Sequence, residues 1–117
     1  MYHNGLVTVI IPALNEERNI YRLVSSIFEQ DYRPIEVIVI DGGSTDRTVS
    51  ILVGLKNEIS DAEFDIRILN EKDYGSLHSA SNARNIGIRS CKGNYVIFLD
   101  ADFVLIDESF VRKVKGG

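Results

Sequence analysis

Two kinds of apolar pattern alternate along the chain. Val7, Val9, Ile10 and Ile11, and later Val37, Ile38, Val39 and Ile40, form short β-branched runs, as strands buried on both faces do. Between them Ile20, Leu23, Val24, Ile27 and Phe28 recur at i, i+3, i+4, i+7 and i+8, which predicts a helix with one apolar face. Asn15 is placed to cap that helix, with Glu16 and Glu17 in its first turn, where the helix dipole favours negative charge. Pro12 closes the first run, and Pro34 ends the helical pattern.

The alternation continues. Thr45 or Asp46 is placed to cap a second helix with Val49, Leu52, Val53 and Ile59 on its apolar face, weakened only slightly by Gly54. Residues 65–69 alternate more strictly and predict a less buried edge strand, and residues 70–76 are polar and read as a loop. Residues 79–90 suit a third helix, with small Ala80, Ala83 and Gly87 permitting close packing, before Lys92, Gly93 and Asn94 end it. A fourth strand follows over residues 95–99, and Asp107 is placed to cap a last short helix holding Phe110, Val111 and Val114.

Strands alternating with helices imply right-handed crossovers and an α/β fold of three layers, helices on both faces of a mainly parallel sheet. The simplest winding is the Rossmann-like order 3-2-1-4, with a switch point between strands one and four. Ligands bind outside the carboxyl ends of strands at such points. Glu16, Asp41, Asp100 and Asp102 all follow strand ends.

Composition narrows the classes. A length of 117 residues, 44% of them hydrophobic, suits one soluble domain over residues 1–117. A net charge of -4 and a pI near 5.1 argue against a nucleic-acid partner or an anionic membrane surface. Cys91 is the only cysteine, so no intrachain disulfide forms, which fits a cytoplasmic setting, free or at the cytoplasmic face of the membrane. No apolar stretch approaches the roughly 20 residues of a membrane span, and residues 1–5 lack a signal-peptide core. His3 and His78 have no partner at metal or triad spacing, and both read as surface residues. Cys91, after the third helix, reads as a small buried hydrophobe. Dinucleotide and P-loop glycine motifs are absent.

Asp100 and Asp102 carry the most chemistry. Extended backbone points residues i and i+2 to the same side, so the two carboxylates can present hard oxygen ligands together. They suit Mg2+ or Mn2+ whose shell is completed by substrate phosphate oxygens. Two aspartates after a strand also suit a solvated turn.

Four segments in order, Pro12-Ala13-Leu14-Asn15-Glu16, Asp41-Gly42-Gly43-Ser44-Thr45-Asp46, Asn82-Ala83-Arg84-Asn85-Ile86-Gly87 and Asp100-Ala101-Asp102, resemble the donor-binding half of family 2 glycosyltransferases. The likeness runs from Val7 to about Asp107. It implies the GT-A fold, an inverting transfer from a UDP- or GDP-type sugar, and a divalent cation. By this resemblance Asp100 and Asp102 form the family's D-x-D metal and sugar-nucleotide motif around Ala101, and Pro12 and Ala13 offer backbone contacts to the nucleoside. Asn15 is either a nucleotide contact or a helix cap, Glu16 reaches the base or ribose edge, and Asp41 lines the base and ribose pocket. Arg84 binds phosphate oxygens or braces the two aspartates. Two departures stand out: Leu14 replaces an aromatic residue, and Gly42 replaces the second acid of an Asp-Asp-x-Ser element. The turn at Gly42 and Gly43 can still face a ligand with its amides.

An inverting transfer needs a general base, which in the resembled family lies beyond the metal motif with the acceptor surface. Asp107 and Glu108 are the only later acids, and a helix cap explains them better. No catalytic residue is assigned. The chain reads as the donor-binding portion of a transferase, lacking the acceptor-binding second half. The alternative is a non-catalytic nucleotide-binding or assembly module that keeps the fold. A phosphoreceiver with Asp41 as acceptor fits less well, because strand one does not end in an acidic pair. The strand at residues 95–100 would leave an apolar edge, which predicts a homodimer pairing there.

Overall fold

The computed structural model describes residues 5–75 and 80–116. His3, His78 and Ser79, and the side chain of Ala80, lie outside the described residues. Four strands, β1 (Val7–Ala13), β2 (Ile35–Asp41), β3 (Phe64–Asn70) and β4 (Tyr95–Phe98), alternate with α1 (Ile20–Phe28), α2 (Thr48–Ile59) and α3 (Ala80–Ser90), and α4 (Phe110–Val114) follows. All pairings are parallel and the sheet order is β3-β2-β1-β4, the winding expected from the sequence.

Side-chain parity builds the layers. In β1 and β2 the odd-numbered Val7, Val9, Ile11, Ile35, Val37 and Val39 join one core with Ile20, Leu23, Val24 and Ile27 of α1 and Leu52 and Leu55 of α2. The even-numbered Ile10, Ile38 and Ile40 form a second, smaller core with Ala83 and Ile86 of α3. Strands covered on both faces have no polar side to show, so β2 is buried at every position. α3 approaches closely because Gly87 carries no Cβ: one placed there would lie 2.6 Å from Ile10 Cγ2.

Several local expectations are corrected. Asn15 does not cap α1, which starts at Ile20 with Asn19 before it and no acid in its first turn. Residues 17–19 form turns instead, and the Glu16 carbonyl accepts from the Asn19 and Ile20 N–H groups. β1 runs through Pro12 to Ala13, because its pairing with β4 ends at Ile10 and the missing N–H faces no strand partner. On α2 the buried face is Thr48, Leu52 and Leu55, while Val53 is exposed. The stretch after β3 contains a 3-10 turn at Glu71–Tyr74, with Glu71 buried. Ser109 is the residue before α4, with Asp107 organising the turn from two residues earlier. Val111 of α4 is buried, but Val114 is exposed. Cys91 is half-buried beside the smaller core, and burial, reinforced by the nearby Glu36 carboxylate, pushes its thiol up.

A polar cluster sits at the amino end of the sheet. The buried Glu36 carboxylate accepts from Thr8 Oγ1 at 2.7 Å, from the Lys92 N–H at 2.7 Å and from Arg67 Nη1 at 3.3 Å. Gly93 passes so close that a Cβ there would meet Thr8 Oγ1 at 2.5 Å and the Leu6 carbonyl at 2.7 Å. These contacts seat the connection between α3 and β4 just before that strand begins.

Candidate functional site

At the carboxyl end of the sheet, the loops after β1 and β2 are tied to each other. Asn15 adopts φ 53°, a left-handed conformation that Asn tolerates better than most residues. Its Oδ1 accepts from the Thr45 N–H at 2.8 Å and the Asp46 N–H at 3.3 Å, and its own N–H donates to Ser44 Oγ at 2.9 Å. The Glu16 N–H donates to Thr48 Oγ1 at 2.8 Å, the Glu17 N–H to Asp46 Oδ2 at 3.2 Å, and the Arg47 N–H to Glu17 Oε1 at 3.0 Å. Asp46 also accepts from the Thr48 N–H and hydroxyl in an Asx turn, but the residue before α2 is Arg47, with no side-chain cap, so neither Thr45 nor Asp46 is the cap expected from the sequence. Burial pushes the Asp46 carboxyl up, but the bonds from Thr48 and Glu17 hold it, on balance, below its ordinary value.

Asp41 ends β2 opposite Ala13 and is buried. Its Oδ2 accepts from the Gly43 and Ser44 N–H groups at 3.0 Å each, and its Oδ1 from Ser44 Oγ at 2.5 Å. The Gly42 N–H donates to the Ala13 carbonyl at 2.8 Å, so that carbonyl already has a partner. Pro12 and Glu16 are half-buried at the same edge, and Asn19 Nδ2 donates to Glu16 Oε1 at 3.3 Å.

At the end of β4, Leu99 and Ala101 are buried in the larger core while Asp100 and Asp102 are exposed. The alternation of buried and exposed positions therefore carries past the strand, although Ala101 and Asp102 lie in a turn and not in the extended backbone expected from the sequence. The Leu99 N–H donates to the Ile10 carbonyl at 3.1 Å, and the Phe103 N–H closes a turn on the Asp100 carbonyl at 3.0 Å. Arg84, on α3, places its guanidinium over the Phe98 ring at 5.9 Å, and Phe98 has the parity of the two aspartates. Among the described residues no ion pair joins Arg84 to Asp100 or Asp102, so the bracing role is not what this geometry displays. Behind the turn, Leu99, Phe103, Leu105 and Phe110 line an apolar cleft.

No group of three His, Cys, Asp or Glu forms a metal site among the described residues. An octahedral Mg2+ or Mn2+ takes one or two carboxylates and fills its shell with water and phosphate oxygens. Two exposed carboxylates without a third protein ligand fit such an ion only together with its phosphate ligand.

The structure brings Pro12, Ala13, Asn15, Glu16, Asp41 and Gly42 to one stretch of this edge, and Arg84, Asp100, Ala101 and Asp102 to the side of β4. Sequence reasoning did not single out Ser44, Thr48 and Asp46 as loop ties, or Glu71 as a buried acid at the same edge. The turn-forming chemistry of Asn, Asp, Ser and Thr was a signal for the first three. Glu71 had none, lying in a polar run.

The family model described as Glycosyl transferase family 2 matches residues 8–115. The Escherichia coli UDP-Glc:alpha-D-GlcNAc-diphosphoundecaprenol beta-1,3-glucosyltransferase WfaP is 40% identical over 97 residues, covering 83% of this chain and 35% of that protein. Glycosyltransferase GlyA of Streptococcus pneumoniae is 35% identical over 96 residues, covering 82% of this chain and 13% of its own length. Mannosyltransferase PcManGT from Pyrobaculum calidifontis, solved with GDP-Man and Mn2+, superposes with a TM-score of 0.77 at 30% identity, covering 93% of this chain and 31% of the other. Staphylococcus aureus TarS 1-349 in complex with UDP gives 0.74 at 26% identity, covering 92% and 30%. The chain thus spans well under half the length of these proteins, and its sheet and helices are those of the GT-A glycosyltransferases. The chain belongs to glycosyl transferase family 2.

Proposed function

We propose that this chain binds the donor of an inverting glycosyl transfer, a UDP- or GDP-type sugar, with its diphosphate held through Mg2+ or Mn2+ at Asp100 and Asp102. The observation that carries the reading is the exposure of those two carboxylates above buried Leu99 and Ala101, at the switch point between β1 and β4. That TarS binds UDP and PcManGT binds GDP-Man with Mn2+ supports it.

In this reading the cation, when bound, supplies Lewis-acid neutralisation of the charge that the departing diphosphate gathers. Asp100 and Asp102 hold it. Arg84, already at the end of β4, adds a fixed guanidinium for phosphate oxygens. Asp41 accepts from the nucleoside, while Pro12, Ala13, Asn15, Glu16 and Gly42 wall that end of the pocket. Asp107 is a poor general base, because Lys113 and Ser109 engage its carboxylate and hold it at about 2, far from the neutral range that suits proton abstraction. No base is assigned within these residues, and donor binding rather than transfer is the activity proposed for them.

Calorimetric titration of the chain with UDP, GDP and their sugar conjugates tests this, with and without Mn2+ or Mg2+. Binding of at least one nucleotide, strengthened by metal, is expected. No binding of any of them would overturn the reading.

A second reading, an assembly module, is favoured by one observation: Tyr95, Val96 and Phe98 on the β4 edge are 41%, 37% and 42% exposed. An apolar edge of this kind recruits a strand, and a second copy of this chain is the proposed partner. Sedimentation at about 50 µM, where unpaired edges associate, should then give a dimer; a monomer counts against it.

A further inference from the structure

Asp41 has little acceptor capacity to spare. A carboxylate offers about four acceptor sites, and three are taken by the Gly43 N–H, the Ser44 N–H and the Ser44 hydroxyl. A nucleoside at the end of β2 can therefore draw about one further bond from it. The neighbouring position, where a second acid would help, is Gly42.

The acid is present, but it comes from another strand. Glu71 follows β3 directly and is buried to 4% exposure, on the same carboxyl edge, because Asn70 pairs in register with Asp41. Its Oε1 lies 3.5 Å from the point a Cβ on residue 42 would occupy. That point also lies 3.6 Å from the Ala13 carbonyl and 3.7 Å from Leu14 Cβ, so it sits within the wall already assigned to the nucleoside. Asn82 Nδ2 donates to Glu71 Oε2 at 2.9 Å, and Oε1 is the oxygen that lies toward Gly42. A carboxylate grown from residue 42 would meet that of Glu71 at contact range, where two like charges disfavour each other.

We infer that Glu71 is the second carboxylate of the nucleotide pocket, delivered from the end of β3 into the place that glycine at position 42 leaves open. The inference rests on the nucleotide-sugar reading and goes beyond it. Glu71 acts on the nucleoside end of the ligand, by accepting from its N–H or O–H groups. The diphosphate end belongs to Asp100, Asp102 and Arg84.

Four variants of the chain, Glu71→Ala, Glu71→Gln, Gly42→Asp and the double variant Glu71→Ala, Gly42→Asp, test this by calorimetry with Mn2+. The ligands are whichever of UDP and GDP the unaltered chain binds more tightly, and inorganic pyrophosphate. Glu71→Ala should weaken the nucleotide by about tenfold or more, the loss of a hydrogen bond to a charged group, and leave pyrophosphate within about twofold. Glu71→Gln keeps an oxygen for Asn82 and removes the charge, so it should show the same selective loss even if the alanine variant folds poorly. Gly42→Asp alone should weaken the nucleotide, and the double variant should recover most of the affinity. Unchanged nucleotide binding in both Glu71 variants, parallel loss of nucleotide and pyrophosphate, or no recovery in the double variant would each overturn the assignment. Failure of the unaltered chain to bind either nucleotide would overturn the parent reading as well, so the two failures are distinguishable.

Discussion

The two halves of the carboxyl edge are built differently. On the β1 and β2 side, the loops exchange hydrogen bonds in both directions: Asn15 onto residues 44–46, Thr48 and Asp46 back onto Glu16 and Glu17, and Glu17 onto Arg47. On the β4 side, one turn bond holds Asp100 to Phe103, and the carboxylates of Asp100 and Asp102 face solvent. The difference matches what each half would hold. A nucleoside needs a shaped wall fixed before it arrives, because preorganisation lowers the cost of binding. A hydrated cation needs open oxygen ligands and brings the rest of its shell with it.

The sharpest break in this comparison is chemical. Asp100→Asn together with Asp102→Asn should lower metal-dependent nucleotide affinity by about 100-fold or more, since neutral amides are poor ligands for a hard cation. Both side chains are exposed, so thermal melting should barely move. A large fall in melting temperature would mean that the turn, and not the charge, is what the aspartates supply.

Next comes the support behind β4. Gly93→Ala drives a methyl group against the Leu6 carbonyl, 2.7 Å away, and the Thr8 N–H nitrogen, 2.9 Å away. Both are backbone and cannot swing aside. Urea unfolding should show a loss of about 2 kcal/mol, typical of overpacking, and the folded fraction should bind nucleotide more weakly through displacement of Asp100 and Asp102. Asn15→Ala attacks the other half and should cost less, about 1 kcal/mol for a lost side-chain acceptor. It also forfeits a residue that tolerates φ 53°. Its signature is local: faster amide exchange at Thr45 and Asp46, with β4 unaffected.

Much of this was legible from the chain because parallel strands buried on both faces must be continuously apolar. The runs around Val9 and Val39, and the period of α1, pointed to the layers, and the simplest winding of alternating strands and helices supplied the strand order that the sheet adopts. Asp100 and Asp102 were legible as the first charges after an apolar run, although that run, at the sheet edge, leaves Tyr95, Val96 and Phe98 exposed. Asn15 was misread as a cap because its chemistry, a short side-chain acceptor near a helix start, suits a cap and a tie between loops equally. Only the approach of residues 44–46, a long-range event, decides between them. Val53 falls on the helical period yet faces solvent, since periodicity does not say where along α2 the sheet ends. Glu71 was hidden because a buried acid is defined by its surroundings, here Gly42 and Asn82.

The smallest predicted effect concerns the segment that carries the chain away from the β4 half. Gln30, buried just beyond the end of α1, accepts from the Val111 N–H at 2.9 Å and donates to the Asp107 carbonyl at 2.9 Å. Ser26 Oγ accepts from the Leu105 N–H at 3.0 Å. Within this latch Asp107 takes Lys113 Nζ at 2.9 Å on one oxygen and the Ser109 N–H and hydroxyl on the other. The Lys113 bond, then those from Ser109, lower its carboxyl from 3.8 to about 2. A folded-state value below the unfolded one means that the stabilisation is fully present above about pH 4 and is lost as pH falls toward 2. Asp107→Asn should therefore flatten the dependence of melting temperature on pH across that window and leave the dependence above it unchanged. Because the group is exposed, the shift should be small. If α4 is instead held by Gln30 and Val111 alone, the two proteins will melt in parallel at every pH. The β4 half would then depend on its apolar contacts behind the turn, with no contribution from charge.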